Sequence, residues 1–150
     1  MKKYKNKKLL KKITVIKPKI IAIADIQPLP IFTKSKPREI HKYDIYYADL
    51  GEGVGCEQSF KRPVCICQND TGNKYSATTI ICPLTTVAKH VNMPTKVPLN
   101  TSCGLEKNSY FLGEQIRTID KKRLQDKVGE ITNPKLQEKI NNALRISLGL

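Results

Sequence analysis

The feature that most limits how this chain can fold is its punctuation. From residue 44 onward, short β-branched, aromatic and cysteine-bearing runs alternate with Gly, Pro and Asn clusters, and one stretch near the C-terminus has helical spacing. Runs of this length and composition read as strands, and the clusters between them as turns. Residues 44–50 (DIYYADL) predict a first strand, and Gly51, Gly53 and Gly55 turn the next stretch into a mobile loop. Residues 63–68 (PVCICQ) predict a second strand opening on Pro63, where a missing N–H is tolerable. Residues 69–75 (NDTGNKY) carry turn chemistry, and 78–84 (TTIICPL) predict a third strand. Residues 87–94 read as a loop, 95–99 and 110–116 as further strands, 121–124 as a helical turn and 128–131 as a last short strand. The final helix is the best-defined element. Asn133 is placed to cap it, Pro134 suits the first helical position, and Leu136, Ile140, Ala143, Leu144 and Leu148 fall on one face. Many short strands closed by one helix predict a mainly β, α+β domain, a partly open barrel with the C-terminal helix packed against it.

Charge divides the chain. Residues 1–40 hold twelve Lys/Arg and two acids, which is +10 of the total +14. Pro28, Pro30 and Pro37 punctuate a linker, with a possible short strand at 20–26. Residues 1–39 therefore read as a basic N-terminal extension and 40–150 as the folded domain. The extension is open to two readings, a solvated tail or an arm that grips nucleic acid. A field of this size favours a polyanionic partner. The start imitates a signal peptide, but Lys17-Pro18-Lys19 interrupts its apolar region. No apolar run approaches the ~20 residues of a membrane span, so a cytoplasmic protein without a membrane partner is expected. Five cysteines, an odd number with three inside strand-like runs, suit reduced buried thiols. Cys65-Ile66-Cys67 is too closely spaced for a CxxC hairpin, and His41 and His90 are the only histidines, so no metal and no cofactor is expected.

The chain carries no P-loop, no GxGxxG, no HExxH and no nucleophile elbow. What remains is a set of polar residues at strand ends: Glu57-Gln58, Lys61-Arg62-Pro63, Thr85-Thr86 and Glu114-Gln115-Ile116-Arg117. Strand ends beside mobile loops are where a scaffold presents such groups together. Singly, each has an ordinary explanation as a surface charge, a turn residue or an exposed edge.

Their order is more telling. The succession DIYYADL, GCEQ, RPV, QNDxGNxYSxT and PLT, then Gly104-Leu105, EQIRTIDKxRL and ALxISLGL, resembles the MazF/PemK toxin family over about 110 residues. The resemblance implies an SH3-like, partly open barrel of the MazF/CcdB type, usually a homodimer. It also implies sequence-selective, metal-independent cleavage of single-stranded RNA, leaving 2′,3′-cyclic phosphate and 5′-hydroxyl ends. Carried onto this chain, the family's Arg before Pro falls on Arg62, its Thr at the end of the third strand on Thr85, and its G-S-E-Q glutamate on Glu57. The chemistry suits those types. Arg62 forks two bonds to phosphate oxygens and stays charged, Thr85 adds a hydroxyl, and Glu57 is a proton acceptor. Gln58, Lys61, Asn73 and Gln115 match polar positions near the family's RNA groove. Tyr75 and Phe60 are open either to base stacking or to core packing. The implied partner is a small acidic antitoxin. Two other classes share the barrel or the charge: CcdB-type toxins that bind gyrase without chemistry, and an inactive nucleic-acid-binding domain. The RPV and PLT segments favour the ribonuclease branch. Two departures stand out: Ser59-Phe60-Lys61 where relatives often carry two glycines, and Gly113 where a large apolar residue is usual, which is expected to loosen that strand.

Overall fold

The computed structural model describes residues 39–150, apart from 88 and 91; the basic extension and its possible strand at 20–26 lie outside the described residues. The elements run β1 (Asp44–Asp49), β2 (Lys61–Ile66), α1 (Asp70–Tyr75), β3 (Thr78–Thr85), β4 (Lys96–Leu99), β5 (Ser109–Leu112), β6 (Arg117–Asp120), β7 (Leu124–Glu130) and α2 (Pro134–Leu148). The strands pair antiparallel in the order β4-β5-β3-β2-β1-β7, with β6 also on β3. The path ends on β4 and β7, so the sheet curls without closing, as the sequence predicts. β3 is the pivot. It pairs β2 along one edge, while its other edge pairs β6 at residues 78–81 and β5 at Leu84 and Thr85.

Strand alternation sorts the core into two layers. Ile45, Cys65 and Cys82 lie opposite one another across three strands and pack with Leu84, Val97, Leu99, Phe111 and Ile131 against Ile140 and Ala143 of α2. The other face carries Tyr46, Ala48, Leu50, Val64, Ile66, Ile81, Ile119 and Leu124, enclosed by the curl of the sheet. Full burial of a large aliphatic or aromatic side chain contributes roughly 1.5–3 kcal/mol, so both layers are needed to hold a sheet of such short strands.

α2 forms as its caps require. Asn133 accepts a hydrogen bond from the Lys135 N–H (2.9 Å), and Pro134 occupies the first turn. Gly149 ends the helix in the left-handed region at φ 71°, which lets its N–H return to Ile146 O. Leu136 and Leu144 pack on the core layer beside Ile140 and Ala143. Leu148, expected on that face, is half exposed at the last helical turn.

Other elements differ from the sequence reading for identifiable reasons. β2 begins two residues early, so Pro63 is its third residue; the ladder to β3 starts only at Val64, and on that edge the missing N–H interrupts nothing. The expected turn at 69–75 is helical, because the Asn69 side chain accepts from the Gly72 N–H (2.7 Å) and caps α1. The expected strand at 110–116 ends at Leu112 with β5 and gives way to a 3-10 turn at Gly113–Gln115, and β6 begins only at Arg117. Gly113 sits at that break. It is buried, its N–H donates to Thr95 O (2.9 Å), and a Cβ would lie 3.0 Å from Thr95 O and 3.4 Å from Ala143 O. Its effect is to admit β4 and α2 closely, not to loosen a strand. The last strand is longer than expected because β1 pairs it as far as Leu124.

Candidate active site

β2 and β3 are neighbours in the register Val64↔Pro83, Cys65↔Cys82, Ile66↔Ile81. Continuing that count by two residues sets Arg62 across from Thr85, the last residue of β3. Arg62 alternates in phase with Val64 and Ile66, and Thr85 with Ile81, so both share the face that carries the enclosed layer. Arg62 is half-buried, and its Nε donates to Ser59 O at 2.7 Å, which anchors the guanidinium at one nitrogen and leaves the terminal pair facing outward from that anchor. Burial lowers its pKa from the usual arginine value without approaching neutrality. Thr85 Oγ1 accepts from the Val87 N–H (3.2 Å) and donates to Val87 O (3.3 Å), a local turn that holds the hydroxyl at the strand end.

Two further arginines reach the start of the β1–β2 loop. Arg117 is in phase with Ile119 on the same face, and its terminal nitrogen donates to Leu50 O (3.1 Å). Arg123 donates to Asp49 O (3.3 Å). Among the described residues, none of Arg62, Arg117 and Arg123 enters an ion pair with a carboxylate. The β1–β2 loop is therefore held at its start by Arg117 and Arg123 and at its end by Arg62, each through a neutral carbonyl. Sequence reasoning places Arg117 in a polar strand-end group without giving it a role; its alternation with Ile119 in R-T-I-D is the signal that points to this face.

The loop itself, residues 51–60, is tied down. The Glu57 N–H donates to Val54 O (3.2 Å), and the exposed Glu57 carboxylate accepts from the Val54 N–H (3.1 Å). Gln115 clamps the loop from the 3-10 turn: its Oε1 accepts from the Gln58 N–H (2.8 Å) and its Nε2 donates to Cys56 O (3.1 Å). At the loop's base the Phe60 N–H donates to Gly51 O (2.7 Å) and the Leu50 N–H to Phe60 O (3.2 Å).

The expected residues thus separate. Arg62 and Thr85 come together on one face. Glu57 and Gln58 lie on the clamped loop. Lys61 alternates to the opposite face, its ammonium 5.5 Å from the Tyr47 ring. Asn73, expected beside an RNA groove, is 4 % exposed. Its amide donates to Gln68 O (2.9 Å) and accepts from Thr79 Oγ1 (2.8 Å), so it joins α1 to β3 from inside the fold. Phe60 and Tyr75 are both exposed, so neither is a core residue.

A curled, unclosed sheet of seven antiparallel strands with a C-terminal helix has counterparts among solved structures. The fold aligns with MazF from Deinococcus radiodurans at a TM-score of 0.64 and 20% identity, covering 75% of this chain and 99% of that one. It aligns with an endoribonuclease in complex with its cognate antitoxin, from a mycobacterial species, at a TM-score of 0.63 and 32% identity, covering 74% of this chain and 96% of that one. The sequence is 48% identical over 108 residues to the endoribonuclease MazF of Staphylococcus saprophyticus subsp. saprophyticus, spanning 71% of this chain and 89% of the relative. Residues 41–148 match the family of PemK-like, MazF-like toxins of type II toxin–antitoxin systems. The chain belongs to that PemK/MazF family.

Proposed function

We propose that this chain is the toxin of a type II toxin–antitoxin pair and an endoribonuclease acting on single-stranded RNA. The observation that carries the reading is the placement of Arg62 and Thr85 on one face, with a half-buried guanidinium that no carboxylate among the described residues neutralises. RNA brings its own nucleophile, the 2′-hydroxyl beside the phosphorus. Attack, with the 2′-proton removed, closes a cyclic phosphate, puts charge on the non-bridging oxygens and expels the 5′-oxygen, which takes up a proton from water and leaves as the hydroxyl. The terminal nitrogens of Arg62 supply a positive fork to those oxygens, and the Thr85 hydroxyl, exchanging its bond to Val87 O, adds a neutral donor. Glu57, whose carboxylate has one oxygen outside the Val54 hydrogen bond, is the proton acceptor of the set. Arg117 and Arg123 add charge for the flanking phosphates. The products are a 2′,3′-cyclic phosphate and a 5′-hydroxyl, and no metal or cofactor enters the scheme.

The MazF relative and the antitoxin-bound mycobacterial structure support the enzymatic reading and an antitoxin partner. That antitoxin is expected to be acidic, to occupy the cationic end of the barrel and to order as it binds. The toxin acts as a homodimer in the cytoplasm; among the described residues no helix is long and apolar enough to cross a membrane. The decisive experiment is cleavage of a long RNA in EDTA with sequencing and chemical typing of the ends. Cyclic phosphate and 5′-hydroxyl termini support the mechanism; 5′-phosphate ends, or an obligatory Mg²⁺, sink it. Toxicity without RNA cleavage would instead indicate a gyrase-binding poison.

A further inference from the structure

Phe60 occupies a position that the fold does not explain. Its φ is +57°, in the left-handed region where a Cβ crowds the following carbonyl and glycine is the favoured residue. The conformation is imposed by the loop closure, because both backbone groups of Phe60 are engaged across the hairpin, N–H to Gly51 O and carbonyl from the Leu50 N–H. The side chain returns nothing to the core. The ring is 62 % exposed and belongs to neither packed layer. A bulky aromatic is thus held in strained backbone with its face in water, immediately after the carbonyl that anchors Arg62 and two residues before Arg62 itself. Strained residues of this kind cluster at active sites and ligand clamps.

We infer that Phe60 is a stacking platform for one unpaired base of the RNA next to the scissile phosphate, and so a specificity-determining residue of this enzyme. The inference rests on the proposed ribonuclease reading of Arg62. Every base has a π-face, and aromatic stacking is sequence-tolerant but favours larger bases. Phe60 selects by stacking strength at one nucleotide, while Arg62 acts on the phosphate whatever the base. The closure at Gly51 and Phe60 holds the backbone that carries the ring, so only side-chain rotamers remain to be ordered when RNA binds.

The chain contains no tryptophan, so Phe60→Trp creates a single indole fluorophore. The probe is an oligoribonucleotide with a 2′-deoxy sugar at the cleaved nucleotide, which binds without reacting. Stacking predicts quenching of the indole emission as the oligonucleotide binds, and loss of that quenching when one base, and only one, is made abasic. In parallel, Phe60→Gly should raise Tm by relieving the left-handed strain. It should also raise KM by about ten-fold with kcat at saturation nearly unchanged, and relax the base preference at a single position beside the cut. Emission that does not respond while labelled oligonucleotide demonstrably binds would overturn the platform. So would a Phe60→Gly enzyme with wild-type KM and wild-type cleavage pattern. In both cases cleavage by the wild-type protein keeps the ribonuclease reading intact. A wild-type protein that neither binds nor cleaves RNA overturns both.

Discussion

Arg62 Nε donates to Ser59 O at 2.7 Å, and this one bond orients the guanidinium at the end of β2. Because the anchor uses the inner nitrogen and not a terminal one, the two-pronged edge of the side chain bonds no group among the described residues. The same bond ties the arginine to the loop that carries Glu57 and Phe60.

Arg62→Ala is expected to lower kcat by about 10²–10³-fold with much less change in RNA affinity, since the charge acts on the transition state. Arg62→Lys keeps the charge but has neither the Nε anchor nor the fork, and should recover little of the loss. Thr85→Ala should show the same pattern more mildly. Single-turnover cleavage and binding of the 2′-deoxy oligonucleotide separate the two quantities. Normal rates in folded Arg62→Ala would remove it from the active site.

Asn73→Ala should act on stability and leave chemistry alone. It strands the buried Thr79 hydroxyl and the Gln68 carbonyl, costing about 1–3 kcal/mol. Urea melts should show a lower midpoint, and sequencing of cleaved ends should return an unchanged pattern. A changed pattern with unchanged stability would restore Asn73 to RNA recognition.

Gln115→Ala removes both bonds that hold the loop at Cys56 and Gln58. Both groups freed are backbone and can find water, so Tm should move little. Activity should fall through KM as the loop loses its set position, and hydrogen exchange at the Gln58 amide should speed up. An unchanged exchange rate would mean the clamp does not order the loop.

Lys127 bonds the buried Asp44 at 2.7 Å and Glu130 at 3.2 Å. The bond to Asp44 raises the lysine pKa above its usual value, with burial opposing it. A raised cationic pKa stabilises the fold below the unfolded value of about 10.4 and loses that contribution as pH climbs through the folded one. Lys127→Met should therefore lower Tm between pH 6 and 9, with the gap to wild type narrowing at more alkaline pH. The lysine is partly exposed, so high salt should shrink the gap as well. A gap independent of both pH and salt would show that the pair is not what stabilises β7.

The basic extension makes a separate prediction from charge alone. Residues 1–38 hold twelve basic side chains and one acidic one. Deleting them should weaken RNA binding at low salt and flatten its salt dependence, since each phosphate contact on a single strand contributes roughly −0.7 to the log–log slope. The cleaved sequence should stay the same, because Glu57, Arg62 and Thr85 all remain. A truncated protein with the full salt slope would show that the extension does not touch RNA; a lower Tm would instead show that residues 20–26 add to the fold.

Elements with a local cause are legible from the residues themselves. Asn133-Pro134 and Gly149 bound α2 through hydrogen bonds within a few residues, and β-branched runs such as TTIICPL are strands wherever they pack. The sequence also held the pairing of Arg62 with Thr85 as a matter of motif order. Tertiary structure decided what depends on neighbours distant in the chain. Gly113 breaks a seemingly continuous strand because Thr95 and Ala143 close over it. Asn73 is drawn inward because Thr79 and Gln68 offer its amide partners once α1 folds onto β3. Lys61 and Arg62 are adjacent in sequence, yet pleating sends them to opposite faces, and only the register with β3 says which of them shares a face with Thr85. A residue's type is fixed by the chain, but its hydrogen-bond partners and its exposure are set by strands that arrive from elsewhere.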